Sequence, residues 1–208
     1  MRSQKFFWPI MIATAVGLSG CATVGGSVAN GIYTSPLYNF KVPVPDLGTD
    51  AILGDTADDR SGFVEFYDGH DSLLRIEYLR MDPLAPARHS DPQRRDYAYW
   101  NYTHEYFIPK WQVEFPGTEV LFDEYVGKDT WRSYFFIVYM PGGFAHDDPE
   151  TGEKRDTTTA YLIFSSGEFM YILSEEILTE DAARGLSEAS YRSMQSRLVE
   201  LASTMIFE

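Results

Sequence analysis

Apolar and polar residues alternate through much of the chain, and the alternation predicts strands in pairs. Gly62 to Tyr67 and Ser72 to Leu79 read as the arms of a hairpin across Asp68-Gly69. In the second arm Leu74, Ile76 and Tyr78 face one way and Arg75 and Glu77 the other, a period of two. Leu37 to Val44 alternates more loosely, and its Pro43 marks an edge strand or a strand end. Glu119 to Val126 and Thr130 to Met140 form a second pair around Gly127-Lys128-Asp129. Thr157 to Phe164 and Glu168 to Ser174 form a third across Ser165-Ser166-Gly167.

Two segments change period. From Asp91 to Ile108 the spacing is helical, with Asp91 as N-cap, Pro92 in the first turn and Pro109 as the stop. Tyr97, Trp100, His104, Phe107 and Trp111 form one aromatic row, and Tyr99, Tyr102 and Tyr106 a second. Ser187 to about Ile206 is an amphipathic helix with Tyr191, Met194, Leu198, Leu201 and Met205 on one face. The order is strands, helix, strands, helix. It predicts an α+β fold: a mostly antiparallel sheet of about six or seven strands covered by two main helices. The strand-helix alternation of a doubly wound nucleotide-binding sheet is missing.

The first twenty residues read differently. Arg2 and Lys5 give a basic start, Phe6 to Leu18 is uncharged and largely apolar, and Leu18-Ser19-Gly20-Cys21 follows. This resembles the lipobox of bacterial lipoproteins, which implies a diacylglyceryl group on Cys21, cleavage before it and acylation of the new amine. The domains expected are therefore a signal peptide (1–20), a flexible tether (21–30) and one globular α+β domain (31–208). Ala22, rather than Asp, follows the cysteine. By the resemblance, this favours the outer membrane. The longest later apolar run, Tyr134 to Met140, is strand-length and too short to span a bilayer.

Composition narrows the rest. Cys21 is the only cysteine, so no intramolecular disulfide supports the fold. Loss of residues 1–20 removes Arg2 and Lys5 and no acid, taking the formal net charge from −14 to −16. So acidic a domain repels nucleic acid and anionic membrane. The partners expected are the membrane, through the lipid on Cys21, and an envelope protein or cell-wall material.

Tyr38-Asn39-Phe40-Lys41-Val42-Pro43 and the closing Leu198 to Phe207, with the order of elements, are similar to the PsbP/Mog1-like α/β/α sandwich. The acidic segment Asp46 to Arg60 is not part of that pattern. The resemblance implies topology and no activity.

No catalytic set, metal site or cofactor emerges. His104-Glu105 begins like a zinc-protease helix, but Ile108 stands where the second histidine belongs. His70-Asp71 and His89-Ser90-Asp91 lie in loops without further ligands. Asp147, Asp148, Glu150, Glu153 and Asp156 crowd a loop with Gly152, but not in a calcium-loop spacing. Asp123-Glu124 are adjacent on a strand and face opposite sides. The feature least explained by a plain core is the second aromatic row. Exposed, Tyr99, Tyr102 and Tyr106 would form a partner or ligand surface. The function expected is non-catalytic binding or assembly in the envelope. The alternatives are an envelope enzyme built from His104, Glu105, Arg94 and Arg95, or a carrier of a small apolar ligand.

Overall fold

Two strands apolar on both faces need a layer on each side of the sheet that holds them. In the computed structural model, which describes residues 25–45, 52–67, 72–88, 91–128, 131–143, 151–178 and 186–208, these are β8 (Trp131–Met140) and β9 (Thr157–Ser166). Ser133 to Met140 and Thr157 to Phe164 are buried without a break. The other strands of this sheet are β4 (Ile52–Ala57), β5 (Ser61–Tyr67), β6 (Ser72–Arg80), β7 (Glu119–Lys128) and β10 (Phe169–Leu178). The order is β4-β5-β6-β10-β9-β8-β7, and every neighbouring pair is antiparallel. Gly167, at φ +58°, opens the tight turn from β9 to β10.

One face carries Ile76, Tyr78, Phe135, Leu162 and Leu173. It packs against Met194, Leu198 and Ala202 of the C-terminal helix α3 (Glu188–Thr204). The opposite face carries Phe136, Val138, Tyr161, Ile163 and Ile172, and packs against Tyr99, Ile108, Phe107 and Trp111 of the long helical segment. That segment runs as α1 (Pro92–Asn101), a π-helical stretch (Tyr102–Phe107) and α2 (Ile108–Glu114). Asp91 caps it by accepting from the Gln93 amide at 3.0 Å.

The α+β class and the helix-covered antiparallel sheet agree with the pattern of the chain. Three details differ from it. First, Pro109 does not stop the helix. A proline inside an α-helix lacks one N–H and collides with the carbonyl four residues back. Here the preceding turn is widened, with the Ile108 amide bonding Thr103 O five residues back, and the chain continues helically to Glu114. Second, part of the expected tether is folded: β1 (Ser27–Ala29) pairs with β2 (Ile32–Thr34). Third, the chain leaves the helix before Ile206. β11 (Ile206–Phe207) pairs with β3 (Phe40–Pro43), completing a small sheet of order β1-β2-β3-β11. Residues 1–24, including the expected signal segment and Cys21, lie outside the described residues.

The small sheet is fixed to the main one by a buried knot. Tyr171 of β10 donates to Asn39 O at 3.1 Å and accepts from Asn39 Nδ2 at 3.3 Å. Ser35 Oγ donates to Asn39 Oδ1 at 2.5 Å and accepts from the Asn39 amide at 3.1 Å. This pins the turn after β2 and holds Tyr38 at φ +57°, a left-handed conformation costing a non-glycine residue about 1–2 kcal/mol.

Candidate functional site

The long helix covers only part of its face of the sheet. It lies over β10, β9 and β8, where the outward residues are apolar: Met170 and Ile172, Tyr161 and Ile163, Tyr134 and Phe136. Beyond β10 the same face turns polar. Register places Glu77 beside Phe63 and Ile172, and Arg75 beside Glu65 and Ser174. The result is an open cleft of about 470 Å³ along the helix flank. Its floor is Phe63, Arg75, Glu77, Leu79 and Ile172. Tyr102 forms the helix wall, and Ala57, Asp58, Ser61 and Gly62 of the β4–β5 hairpin form the rim.

Arg75 is the centre of the cleft. Its Nη1 lies 2.8 Å from Glu65 and its Nε 2.7 Å from Glu77. The guanidinium sits 4.1 Å above the Phe63 ring, a cation–π contact that uses the flat face left free by the ion pairs. With Asp58 on the rim, the acids outnumber this cation. The Arg60 and Ser61 amides bond Asp58 and hold its carboxyl below the usual range. Burial pushes the Tyr102 hydroxyl up to about 12, with nearby Glu77 adding to the shift, so the phenol stays a neutral donor. Burial raises Tyr161 as well, and Glu176 and Glu77 reinforce it. The cleft thus offers a fixed cation, excess carboxylate, a neutral phenol and an apolar floor. That set suits a cationic or hydroxyl-rich group, and on the rim the Ser61 hydroxyl donates to Asp58 at 3.2 Å.

The second aromatic row divides. Tyr99 is 1% exposed, and its hydroxyl donates to Ser165 Oγ at 2.6 Å, which donates to Ala87 O at 2.9 Å. Tyr102 is half-buried in the cleft wall, and Tyr106 is 66% exposed. The row is therefore not one exposed surface, and Tyr99 is a core residue. The cause is the π-helical stretch. Its wide turn rotates the following residues relative to an α-helix, so the inward row passes from Tyr99 and Thr103 to Phe107, Ile108 and Trp111. Tyr97 and Trp100, on the row expected inside, are exposed.

His104, on the π-helical stretch, belongs to a different group at the opposite edge of the sheet. Tyr134 donates to Asp123 Oδ2, so the 3.0 Å contact between His104 Nε2 and Tyr134 Oη is completed by the histidine as donor. Trp100 stacks on the imidazole at 4.7 Å. Nearby, Tyr125 donates to Asp96 O at 3.0 Å, and Arg132 pairs with Asp96 at 3.0 Å. These bonds clasp the helix to β7 and β8. Glu105 and Arg94 are exposed, and Arg94 lies 3.9 Å from Asp91. Neither these two nor Arg95 and His104 line the cleft. The open, charged cleft also differs from the closed apolar cavity that a carrier of apolar ligands needs.

Among the described residues no three His, Asp or Glu side chains converge as a metal site would require, and no helix is long and apolar enough to cross a membrane. His70, His89, Asp147, Asp148 and Glu150 lie outside the described residues. Asp156 is engaged with the end of β8, accepting from the Gly142 amide at 2.9 Å.

No protein-family model and no curated protein matches the chain. Among solved structures it is similar to one from Bacteroides thetaiotaomicron (14% identity, TM-score 0.42). The match covers 86% of this chain but only 48% of that one. It is also similar to the Saccharomyces cerevisiae Ran-binding protein Mog1p, at 12% identity, TM-score 0.49, and 87% and 96% coverage. A third is cyanobacterial PsbP (CyanoP) from Synechocystis, at 10% identity, TM-score 0.46, and 93% and 98% coverage. At these values nothing about ligand or partner passes to this chain.

Proposed function

We propose that this chain is an exported bacterial lipoprotein, anchored in the envelope through lipid on Cys21 at the periplasmic face of the outer membrane. In this reading its α+β domain is a binding module that receives an envelope partner in the cleft beside the long helix. The lipobox-like Leu18-Ser19-Gly20-Cys21 supports the anchoring. The observation that carries the binding role is Arg75, held between Glu65 and Glu77 over Phe63 in an open cleft. An arginine fixed by two carboxylates and a ring keeps its position without a ligand, so binding costs little ordering. The partner's chemistry follows from the charge balance: an amine-bearing or hydroxyl-rich group meets the spare carboxylates, and a flat apolar portion meets the floor.

Site-specific photo-crosslinking in intact cells tests this. A photoreactive phenylalanine replaces Leu79 on the cleft floor or, as a control, Val113, which is 84% exposed on α2 and outside the cleft. The proposal expects one discrete adduct from position 79, lost on adding Arg75→Glu, and none from position 113. Adducts of equal pattern from both positions would contradict it.

A further inference from the structure

The lipid anchor and the folded domain are closer together than the composition of the N-terminal segment suggests. Gly26 lies against the Tyr33 ring so closely that a Cβ there would come within 2.4 Å of it. Tyr33 is itself buried in the main core. The folded domain therefore already includes Gly26, five residues after Cys21. Five residues reach at most about 18 Å when fully extended.

The exit point of that segment is fixed by register. Ser27 pairs with Thr34, the last residue of β2, so the chain enters the small sheet beside the turn 35–39. The last strand, β11, ends at the same place, with the Glu208 amide directed at Asn39 O. This corner displays large apolar side chains. Tyr38, at the tip of the turn, is 67% exposed, and Ile206 is 59% exposed; Ile32, two residues before Thr34 on β2, is exposed as well. Ile32, Thr34, Lys41 and Ile206 share the outward face of the small sheet, because Thr34, Lys41 and Ile206 are cross-strand neighbours. The charges of Lys41 and Glu208 are paired to each other. This face therefore does not bring the acidity of the rest of the domain towards a bilayer. Tyr38 is also held rigidly, by the Ser35–Asn39–Tyr171 knot, in a left-handed conformation that an exposed tyrosine does not choose for itself.

We infer that this corner, led by Tyr38 and Ile206, is a second membrane contact: it seats in the headgroup layer of the bilayer that holds the lipid on Cys21. The inference rests on the anchoring reading above. Its physical basis is the short link, which confines the corner to within the reach of the interface, and the amphipathic tyrosine, which suits the boundary between headgroups and acyl chains. The cleft lies on the opposite face of the main sheet from the small sheet, so seating this corner leaves the cleft facing away from the lipid.

The lone cysteine makes the test selective. In the acylated protein the Cys21 sulfur is blocked, so an introduced cysteine is the only free thiol. The full protein is purified from membranes with Tyr38→Cys, Ile206→Cys or Leu84→Cys. It is labelled with an environment-sensitive thiol dye and reconstituted in phosphatidylcholine vesicles with plain or brominated acyl chains. Leu84, 91% exposed, lies on the long-helix side of the main sheet and serves as control. The expected result is blue-shifted emission at positions 38 and 206, with roughly twofold quenching by bromine as for groups seated 5–10 Å deep, and no change at 84. Emission and quenching at 38 and 206 equal to those at 84 would overturn the inference while leaving the anchor standing. If the unsubstituted protein itself takes up the dye at Cys21 and does not float with vesicles, the anchoring reading fails and this inference falls with it. The two variants sit on different elements, so loss of fold in one does not remove the test.

Discussion

Tyr171→Phe removes one oxygen and leaves the ring, which stacks on Phe164 at 5.4 Å and meets Phe40 edge-on at 5.8 Å. The oxygen makes two buried hydrogen bonds, one given to Asn39 O and one received from Asn39 Nδ2. Each such bond contributes about 1 kcal/mol net, and a buried group left without a partner costs about 1–3 kcal/mol. Asn39 O retains the Glu208 amide at 3.5 Å, so the amide nitrogen of Asn39 bears most of the loss. A destabilisation of about 2 kcal/mol follows, which in a domain of this size lowers Tm by about 4–8 °C. Asn39→Ala should cost a similar amount: it keeps the main-chain carbonyl that accepts from Tyr171 but removes the Nδ2 bond to Tyr171 and the Oδ1 acceptor of Ser35. The double variant should then be less destabilised than the sum by about 1 kcal/mol or more, as residues sharing one network are not additive. Thermal and urea unfolding of the four proteins measures this. Additive effects, or a Tm change for Tyr171→Phe below about 1 °C, would refute the claim that this knot ties the small sheet to the main one.

Gly26→Ala places a methyl within 2.4 Å of the Tyr33 ring and should lower Tm by several degrees, whereas Gly31→Ala meets no atom within 4 Å and is strained only through its φ of +73°. Limited proteolysis should accordingly cut Gly26→Ala earlier at its N-terminal edge. Burial raises the Glu175 carboxyl above its ordinary 4.5, against the opposing pull of Arg197 at 2.7 Å. The folded state thus holds that proton more tightly than the unfolded state does. The stability this gives is present below pH 4.5 and is lost as pH rises through the elevated pKa. Glu175→Gln, which keeps an acceptor for Arg197, should match the parent below pH 4.5 and gain on it above; urea midpoints at pH 4 and 7 decide this. Tyr99→Phe should cost about 1 kcal/mol in unfolding experiments, since Ser165 Oγ keeps its bond to Ala87 O.

Much of the frame is legible from alternation alone. The arms Ser61–Tyr67 and Ser72–Arg80, the burial of Ile76 and Tyr78 opposite Arg75 and Glu77, and the Asp91 cap all follow from period and capping chemistry. The π-helical stretch does not, because a run such as Tyr102–Phe107 has the same composition whether its turn holds 3.6 residues or more. Extending the α-helical period across it exchanges the inner and outer aromatic rows, and so Tyr99 and Trp100 trade places. Very short strands leave little period to read: Ser27–Ala29 is three residues of small side chains, and its pairing depends on Tyr33 and Val42 elsewhere. The cleft is hidden for another reason. Arg75 and Glu77 look like any solvated strand face. Only the contrast with the apolar outward residues of the neighbouring strand, Met170 and Ile172, marks where the helix cover ends.

The central claim, a domain fixed to the envelope by lipid on Cys21, is tested most directly by the mass of the N-terminal peptide of the chain extracted from its native membranes. The account predicts a peptide beginning at Cys21 that carries a diacylglyceryl thioether and an acylated amine, and none retaining Met1 to Gly20. A peptide cut elsewhere with an unmodified Cys21 thiol, or one still carrying residues 1–20, would contradict it.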